Sequence, residues 1–412
     1  MAEKKLHILL IHQAFVALDE AGGTRHYEFA RYLVQNGHRV TVICSRVSYL
    51  TGQQAEGTIA KVEGLRILRA ATYRGLHRSF LHRLFSFFSF TVSSFFIGLG
   101  VKDVDIVWGT SPPIFQAVTA WALTRLKRTP FLFEVRDLWP GFAVAVGVLR
   151  NRTLIAASEW LERFLYTRAN AIVLNSPGFL DHVRGRGGRH ISVVPNGADA
   201  SMFDPQADGA ALRKQYSLQD KFIVLYAGAH GLSNDLGVTL RAAELLKDNT
   251  KIAIILLGDG KDKLKLQAQA EKMNLSNVHF LPPMPKEQMA AALAAADACL
   301  AILKPLKLYA TVYPNKVFDY MAASRPVLLA IDGVIRQVVE NAEAGIFVRP
   351  GNAAALAEAI RSLAADPGRA KRMGKAGREY LEKHFERGAL AKEMEGVIKE
   401  TAARDAEGLP QL

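Results

Sequence analysis

The chain has 412 residues, which is too long for one ordinary hydrophobic core and predicts two domains. Half of the residues are hydrophobic and 22% are charged, so the composition excludes an intrinsically disordered protein. The formal charge of +13 indicates an anionic partner, which could be a nucleic acid, a phosphorylated small molecule or a lipid head-group surface.

Two features bear on the cellular compartment. Cys44 and Cys299 lie far apart in hydrophobic runs, which excludes a disulfide framework and a CxxC metal site and favours a reducing compartment. The apolar run near the N-terminus is short, is interrupted by His12 and continues into a folded pattern, so we expect no signal peptide.

The first half of the chain predicts a parallel α/β sheet. An apolar run at 6–11, a loop, a helical pattern at 25–36 and a β-rich run at 40–44 form a β–α–β unit. Further runs of strand character follow at 67–68, 105–108, 131–135, 171–174 and 191–194. Continuous apolar strands that alternate with helices indicate a doubly wound sheet covered on both faces.

Turn residues at 195–199 separate this half from a second one, in which the alternation restarts. The pattern there predicts strands at 222–226, 252–257, 278–280, 298–302 and 326–330, and helices at 236–247, 261–273, 286–296, 314–323 and 352–364. A charged helical tail covers about 373–403. We therefore expect domains at 1–200 and 201–384, with a C-terminal helix at 385–412 packing back on the first domain, and ligands bound at the strand ends.

Glycine-rich turns follow two strands of the second half. The first contains Gly228, His230, Gly231 and Asn234, and the second begins with Gly258 and Asp259. Glycines allow a phosphate to approach the backbone closely, and a helix N-terminus favours an anion. A turn without any ligand remains the alternative, because the GxxxxGK[ST] pattern of a P-loop is absent.

The segment 308–326 holds a lysine and an acid at helical spacing. Lys316 and Asp319 are three residues apart, near the start of a helix in which Pro314 suits the first turn. Placed on one side of that helix, they could hold a phosphate and a diol together. A surface ion pair worth ~0.5 kcal/mol is the alternative.

Candidate residues also follow strands of the first half. Arg136 and Asp137 end one strand, and His12 ends another. A catalytic role and a structural one remain open for all three, since strand ends are where reactive groups collect in such sheets. The loop Gly22, Gly23 and Thr24 lies past the first strand, where the glycines either allow close approach of a ligand or merely form a loop.

The stretch 73–103 is rich in phenylalanine and has no charged residue between Arg83 and Lys102. Its serines and glycines make a membrane-spanning helix improbable. A buried helix of the first domain is one interpretation. The other is an interfacial helix on an anionic membrane, with the following contacts: Arg74, Arg78, Arg83, Phe87, Phe88, Phe95 and Phe96.

The ordered series of motifs resembles a known family over nearly the whole chain. The series comprises LIHQAF, AGGTRHYEFARYLVQNGHRVTVI, FEVRDLWPGFAVAVGVL, NSPGF, VVPNGAD, YAGAHGLSNDLGVTLRAAELL, LLGDG and PNKVFDYMAASRPV. It looks like glycosyltransferase family 4, whose members are retaining enzymes of GT-B fold, and in particular like bacterial surface-polysaccharide members of the N-acetylfucosaminyltransferase type. The resemblance implies that Asp319 binds the ribose hydroxyls of the donor nucleotide and that Gly228 lies beside its diphosphate.

The resemblance also has departures. The family carries Glu-x7-Glu, whereas this chain has Thr311 and Asp319 at those positions. Two family cations after the strand at 222–226 are missing. We therefore expect Lys316, helped by His230, to compensate the charge of the diphosphate. Together with Arg136 and Asp137 these are the expected catalytic residues.

The predicted nucleotide-sugar contacts are Gly228, Gly231, Asn234, Gly258, Asp259, Pro283, Asn315 and Asp319. Acceptor contacts are expected at His12, Gly22, Gly23 and Thr24. No cofactor or metal is expected, because the histidines show no metal-ligand spacing.

The sequence thus predicts a cytoplasmic enzyme on the inner face of the bacterial cytoplasmic membrane. It would move an N-acetylated hexosamine or a deoxyhexosamine from a UDP-sugar to a polyprenyl-diphosphate-linked saccharide, in O-antigen or capsule assembly. A GT-B nucleotide-sugar epimerase and a mannosyltransferase using GDP-mannose are the alternatives. A nucleic-acid-binding protein is disfavoured because the basic residues of this chain are dispersed over many helices. A nicotinamide dehydrogenase is disfavoured because no GxGxxG motif directly follows the first strand.

Overall fold

The computed structural model describes residues 4–48, 63–75, 80–204 and 207–406, which form two compact units. The first unit comprises residues 1–17, 23–195 and 388–412, and the second comprises 18–22 and 196–387. Each unit is built on one parallel sheet with helices connecting its strands. The predicted doubly wound α/β fold in two similar halves is confirmed.

The first unit contains a seven-stranded sheet in the order β3-β2-β1-β4-β5-β6-β7. Its strands are β1 His7–Ile11, β2 Arg39–Ser45, β3 Leu65–Ala70, β4 Ile106–Ser111, β5 Phe131–Val135, β6 Ala171–Leu174 and β7 Ile191–Val193. Its helices are α1 Arg25–Gln35, α2 Phe80–Leu99, α3 Phe115–Lys127, α4 Gly141–Ala145, α5 Arg152–Arg168 and α6 Leu180–Gly185. The central strands are buried on both faces, which explains their nearly continuous apolar sequences.

The second unit contains a six-stranded sheet in the order β10-β9-β8-β11-β12-β13. Its strands are β8 Phe222–Ala227, β9 Ile252–Leu257, β10 Val278–Leu281, β11 Ala298–Ile302, β12 Val327–Ala330 and β13 Gly345–Phe347. Its helices are α7 Ala210–Gln215, α8 Leu236–Glu244, α9 Lys263–Lys272, α10 Met289–Ala294, α11 Asn315–Ala322, α12 Val334–Asn341, α13 Ala353–Ala365 and α14 Pro367–His384. Helix α15, Arg387–Ala406, lies almost wholly in the first unit.

The strand order reverses at equivalent places in the two sheets. In the first sheet β1 lies between β2 and β4, and in the second β8 lies between β9 and β11. Ligands of open α/β sheets bind beyond the carboxyl ends of the strands at such a reversal. The loops after β1 and β8 are therefore the places where each unit would hold a ligand.

Several boundaries differ from the predictions. The helix expected at 236–247 ends at Glu244, and the segment 286–296 begins with a short 3-10 helix, Lys286–Gln288, before α10. Pro314 is the residue before α11 and not part of its first turn. The strand β13 and the helix α12 were not predicted, because β13 has only three residues.

The predicted helical tail is divided into α14 and α15. The backbone of Phe385 accepts a hydrogen bond from Ala198 N at 3.2 Å, and Arg387 N donates to Ala198 O at 3.0 Å. The Phe385 ring also lies 4.8 Å from that of Phe318, centroid to centroid. These contacts require a non-helical backbone at the junction. Within the first unit, α15 is attached by His38, whose Nε2 lies 3.0 Å from Glu395 Oε1.

Candidate functional site

Two strand-end loops of the second unit lie directly against each other. His230 N donates to Asp259 O at 2.8 Å, and Asp262 N donates to His230 O at 2.9 Å. A Cβ atom on Gly258 would overlap the carbonyl oxygen of Gly228, and one on Gly260 would overlap the carbonyl oxygen of His230. Gly258 and Gly260 also have φ values of +140° and +154°. Glycine is therefore required in the second loop, as close backbone approach demands.

Lys316 projects from α11 into the loop that follows β8. Its Nζ lies 3.8 Å from the centroid of the Tyr226 ring, and a Cβ atom on Gly228 would be only 2.9 Å from that Nζ. Within the part of the chain that the structure describes, no carboxylate forms an ion pair with Lys316. Burial lowers the pKa of Lys316 to about 7. The loop thus contains a lysine ammonium without a counter-charge.

The position of α11 explains why this lysine is held in place. Val317, Phe318 and Met321 are buried in the core of the second unit. The Tyr320 hydroxyl accepts a hydrogen bond from Ala227 N, the last residue of β8, at 3.0 Å. Helix α11 is consequently fixed to the end of β8 through Tyr320, and Lys316 is directed at Gly228.

His230 is fully buried between aromatic rings. Its ring centroid lies 5.9 Å from that of Tyr226 and 6.2 Å from that of Phe280. Neither ring nitrogen has a hydrogen-bond partner among the described residues. Burial, assisted by the charge of Lys263, lowers the pKa of His230 to about 4. The imidazole is therefore neutral near pH 7 and adds hydrogen-bonding capacity, not the positive charge that was predicted for it.

Asp319 forms an ion pair that the sequence did not predict. Lys286 Nζ lies 2.6 Å from Asp319 Oδ1, and both side chains are largely buried. Asn315 Nδ2 donates to Asp319 Oδ2 at 3.4 Å, while Arg387 Nη2 donates to Asn315 Oδ1 at 3.3 Å. Lys316 and Asp319 thus contact different partners. The available sequence signal for this role of Lys286 was its position at the start of the predicted helix 286–296.

The other predicted nucleotide contacts lie in the same strand-end loops or after β10. Asn234 N donates to Gly231 O at 3.0 Å, and the Asp259 carboxylate accepts from Gly260 N at 2.7 Å. Pro283 follows the end of β10. The structure therefore gathers the predicted residues in loops at the carboxyl ends of neighbouring strands and at the start of α11.

A buried ionic cluster was missed in the first unit. Glu134 on β5 is fully buried and accepts three hydrogen bonds, from Arg25 Nε at 2.9 Å, His26 Nε2 at 2.7 Å and Trp108 Nε1 at 3.0 Å. Arg25 also donates to the carbonyl oxygens of Pro195 and Val194, at 2.6 and 2.7 Å. The available signal was a glutamate inside an otherwise apolar strand.

Electrostatics in this cluster follow from burial and pairing. Burial alone would raise the pKa of Glu134, but His26 and Arg25 hold it well below its usual range. Burial lowers the pKa of His26 to about 4 despite the neighbouring carboxylate. Burial also holds the pKa of His12 well below its usual range, and His12 Nδ1 lies 2.8 Å from Thr110 Oγ1. The His12 and His26 rings are 4.0 Å apart, centroid to centroid.

Arg136 and Asp137 lie just beyond β5. Arg136 Nε and Nη2 donate to the carbonyl oxygens of Ser111 and Pro112, both at 3.3 Å. Burial raises the pKa of the Asp137 carboxyl to about 7, although Arg136 opposes the shift. The two residues are placed at a strand end as predicted, and the catalytic role stays a prediction.

The predicted acceptor loop precedes α1. Gly22 and Gly23 are exposed, and a Cβ atom on Gly23 would meet no atom within 4 Å. Thr24 is buried, and its hydroxyl donates to the Glu28 carboxylate. The structure thus leaves open space at Gly23 and uses Thr24 within the protein.

The predicted membrane contacts divide into two groups on α2. Phe87 is only 8% exposed, whereas Phe88 and Phe96 are 49% and 67% exposed, although the Phe88 ring also lies 4.8 Å from that of Phe115 on α3. The prediction for Phe87 is therefore wrong, because that side chain faces the core. Phe95 and Arg83 are partly buried, Arg74 is exposed, and Arg78 lies outside the described residues. Within the described ranges, no helix has the length and apolar character needed to cross a bilayer.

The two parallel-sheet units, with glycine-rich strand-end loops in the second, have the architecture of the GT-B fold of glycosyltransferases. Residues 21–197 match the family described as glycosyl transferase 4-like domain, and residues 209–380 match glycosyl transferases group 1. The chain thus combines a glycosyl transferase 4-like domain in its first half with a glycosyl transferases group 1 domain in its second half. The narrower resemblance to N-acetylfucosaminyltransferases stays a prediction.

Individual relatives and structures agree with this family. WcaI of Escherichia coli K12, named as a glycosyl transferase of colanic acid biosynthesis, is 25% identical over 378 residues, covering 87% of this chain and 91% of that protein. Sucrose-phosphate synthase from Thermosynechococcus elongatus superposes with a TM-score of 0.79 at 19% identity, over 97% of this chain and 100% of that one. Anabaena Alr3699/HepE, solved with UDP and glucose, superposes with a TM-score of 0.74 at 16% identity, over 96% of this chain and 100% of that one. These structural similarities establish the fold.

Proposed function

We propose that the protein transfers a sugar, with retention of configuration, from a UDP-sugar to a lipid-linked saccharide during assembly of a bacterial surface polysaccharide. The observation that carries the proposal is the lysine ammonium held against Gly228. A partly buried lysine without a counter-charge, beside two glycine-rich loops at strand ends, is suited to an anionic ligand, and a nucleotide diphosphate supplies that charge. The titrating lysine would become fully protonated when the diphosphate binds.

In the proposed reaction the acceptor hydroxyl oxygen forms a bond to the anomeric carbon of the sugar. The bond from that carbon to the diphosphate oxygen breaks, and the hydroxyl proton passes to the departing diphosphate. Negative charge develops on the diphosphate as it leaves, and Lys316 is placed to stabilise it. The neutral His230 could donate one hydrogen bond. No cofactor enters this scheme.

The ribose of the donor would lie at Asp319. Its carboxylate is held by Lys286 and Asn315, which fixes its orientation before the nucleotide arrives. A carboxylate that can accept hydrogen bonds from two vicinal hydroxyls would bind the ribose whatever sugar the nucleotide carries. This assignment draws on the family resemblance and on the proximity of Asp319 to Lys316 on α11.

The choice of substrates is supported by what the similar proteins bind or make. HepE was solved with UDP, and the name of WcaI assigns it to colanic acid biosynthesis. We infer that the acceptor is carried on a polyprenyl diphosphate at the cytoplasmic face of the membrane and binds to the first unit. The transferred sugar would be an N-acetylated hexosamine or a deoxyhexosamine.

A thermal-shift screen of the full chain tests the proposal. UDP, GDP, ADP and TDP, each with and without a sugar, are added at rising concentration. A ligand present at 100 times its dissociation constant stabilises the folded protein by ~2.7 kcal/mol. We expect UDP and UDP-sugars to raise Tm and the other nucleotides to have little effect. A response to GDP alone would contradict the UDP assignment, and no response to any nucleotide would contradict the proposed function.

A further inference from the structure

Helix α2 carries a continuous apolar face that points outward. The residues on it recur at intervals of three and four along the whole helix and are between 40% and 67% exposed: Leu81, Phe85, Phe88, Val92, Phe96 and Leu99. With 3.6 residues per turn, all six fall within an arc of about 80°. These six residues are called the α2 stripe.

The opposite face of α2 already supplies the contacts that the core needs. Phe87, Phe90 and Ser94 are buried, and Ser94 Oγ lies 3.4 Å from Thr119 Oγ1 on α3. A Cβ atom on Gly98 would overlap the side chain of Leu123, so the two helices are tightly packed. The α2 stripe is therefore not required to cover the sheet. Six large apolar residues aligned on one exposed face mark an interaction surface, unlike single exposed residues.

Net charge is concentrated in the unit that carries the stripe. The first unit contains 27 lysines and arginines and 16 aspartates and glutamates, a formal charge of +11, whereas the second contains 25 and 23, a charge of +2. Eleven of the fourteen exposed large apolar residues of the described chain also lie in the first unit. The apolar surface and the positive charge thus belong to the same half of the protein.

We propose that the α2 stripe docks the first unit on an anionic lipid bilayer, with α2 lying in the plane of the interface. Apolar side chains would enter the acyl region while lysines and arginines of the unit approach lipid phosphates. A second copy of the chain is a poorer occupant, because pairing would bring two units of charge +11 together. The inference rests on the proposed function in one respect, since a lipid-carried acceptor requires the enzyme at a membrane.

Vesicle flotation with the full chain tests the proposal. Vesicles of phosphatidylcholine with and without 30% phosphatidylglycerol are compared for three proteins: wild type, the stripe variant Phe85→Ser/Phe88→Ser/Phe96→Ser, and a control, Leu245→Ser/Leu264→Ser. The control changes exposed apolar residues of the second unit. We expect wild type and control to bind only the anionic vesicles and to dissociate as salt is raised. The stripe variant should bind at least ~100-fold more weakly, because buried apolar area is lost.

Three results would overturn the proposal. These are no vesicle binding by the wild type, equal binding by the stripe variant, and binding that ignores lipid charge. Light scattering can give a fourth contradicting result. If the wild type is a dimer and the stripe variant a monomer, the α2 stripe binds a second copy of the chain and not a bilayer. The single change Phe96→Ser, expected to weaken binding about tenfold, serves if the triple variant is unstable. No donor is present in these assays, so their failure leaves the transfer reaction untouched.

Discussion

The Glu134 cluster of the first unit and the Lys316 loop of the second both place ionisable groups out of full contact with water and close to strand ends, but they differ in how those groups are paired. Arg25, His26 and Trp108 all donate to Glu134, and the remaining donors of Arg25 reach backbone carbonyls. By contrast Lys316 has no counter-ion among the described residues, and both nitrogens of His230 lack partners there.

This difference separates a structural group from a binding group. A buried charge that is fully paired gains nothing from a ligand, whereas removing one of its partners is strongly destabilising. A buried cation or imidazole without a partner costs stability until a ligand supplies the missing interaction. We therefore assign the Glu134 cluster to the stability of the first unit and the Lys316 loop to ligand binding.

Glu134→Gln should have the largest effect and should act on stability. The change keeps the shape of the side chain but leaves the Arg25 guanidinium buried without its counter-charge, so we expect a loss of about 3–5 kcal/mol in the free energy of unfolding. Urea denaturation measures it. Glu393→Gln, on the exposed face of α15, is the matched control and should be neutral. An unaltered urea midpoint for Glu134→Gln would show that the cluster is not a structural group.

Lys316→Met should act on turnover instead. Removing the ammonium group beside Gly228 deprives the departing diphosphate of a stabilising charge, and we expect kcat to fall by at least ~100-fold. The Tm of the empty protein should not fall, because the change removes a partly buried lysine without a counter-ion. The exposed Lys371→Met provides the control. Transfer at the wild-type rate by Lys316→Met would mean that another group neutralises the diphosphate.

Asp319→Ala should weaken binding of the nucleotide itself. Losing hydrogen bonds between a carboxylate and the ribose should cost ~1.5–3 kcal/mol, equally for UDP and a UDP-sugar. Lys286→Met sharpens the test, because it keeps the carboxylate but removes the ion pair that orients it, so a smaller loss is expected. Isothermal titration calorimetry measures the affinity of UDP and of a UDP-sugar for the wild type and for both variants. Wild-type affinity for UDP in a folded Asp319→Ala protein would rule out the ribose role.

The fold was predictable because its signal is local. Parallel strands covered on both faces, such as Ile252–Leu257, are nearly uninterrupted apolar runs, and the turns between elements contain glycine or proline. The loops at Gly228 and Gly258 could be located in the same way. The sequence predictions failed at Phe385 and at β13, because tertiary contacts determine the backbone conformation of a few residues there.

The pairing of the charged groups was not predictable, because it joins residues that are distant in the sequence. Glu134 meets Arg25 across 109 positions, and Asp319 meets Lys286 across 33. The spacing of Lys316 and Asp319 suggested that they act together, but each contacts a residue of another element. Lys316 contacts Tyr226, and Asp319 forms an ion pair with Lys286. On α2, helical spacing reveals an apolar stripe, but only the exposure of each side chain in the folded protein, low for Phe87 and high for Phe88, tells the outer face from the inner one.

Proton uptake on UDP binding tests the central claim most directly, namely that Lys316 is the group that meets the diphosphate. With a pKa of about 7 in the empty protein, Lys316 is mostly neutral at pH 8, and a bound diphosphate would raise that pKa. Affinity should therefore fall as the pH rises above 7. Calorimetry at pH 8 in Tris and in HEPES, whose ionisation enthalpies differ, measures the number of protons taken up. We expect uptake to approach one proton per UDP for the wild type and for the control Lys371→Met. We expect no proton uptake for Lys316→Met. Uptake of the same size in Lys316→Met, or none in the wild type, would contradict the account.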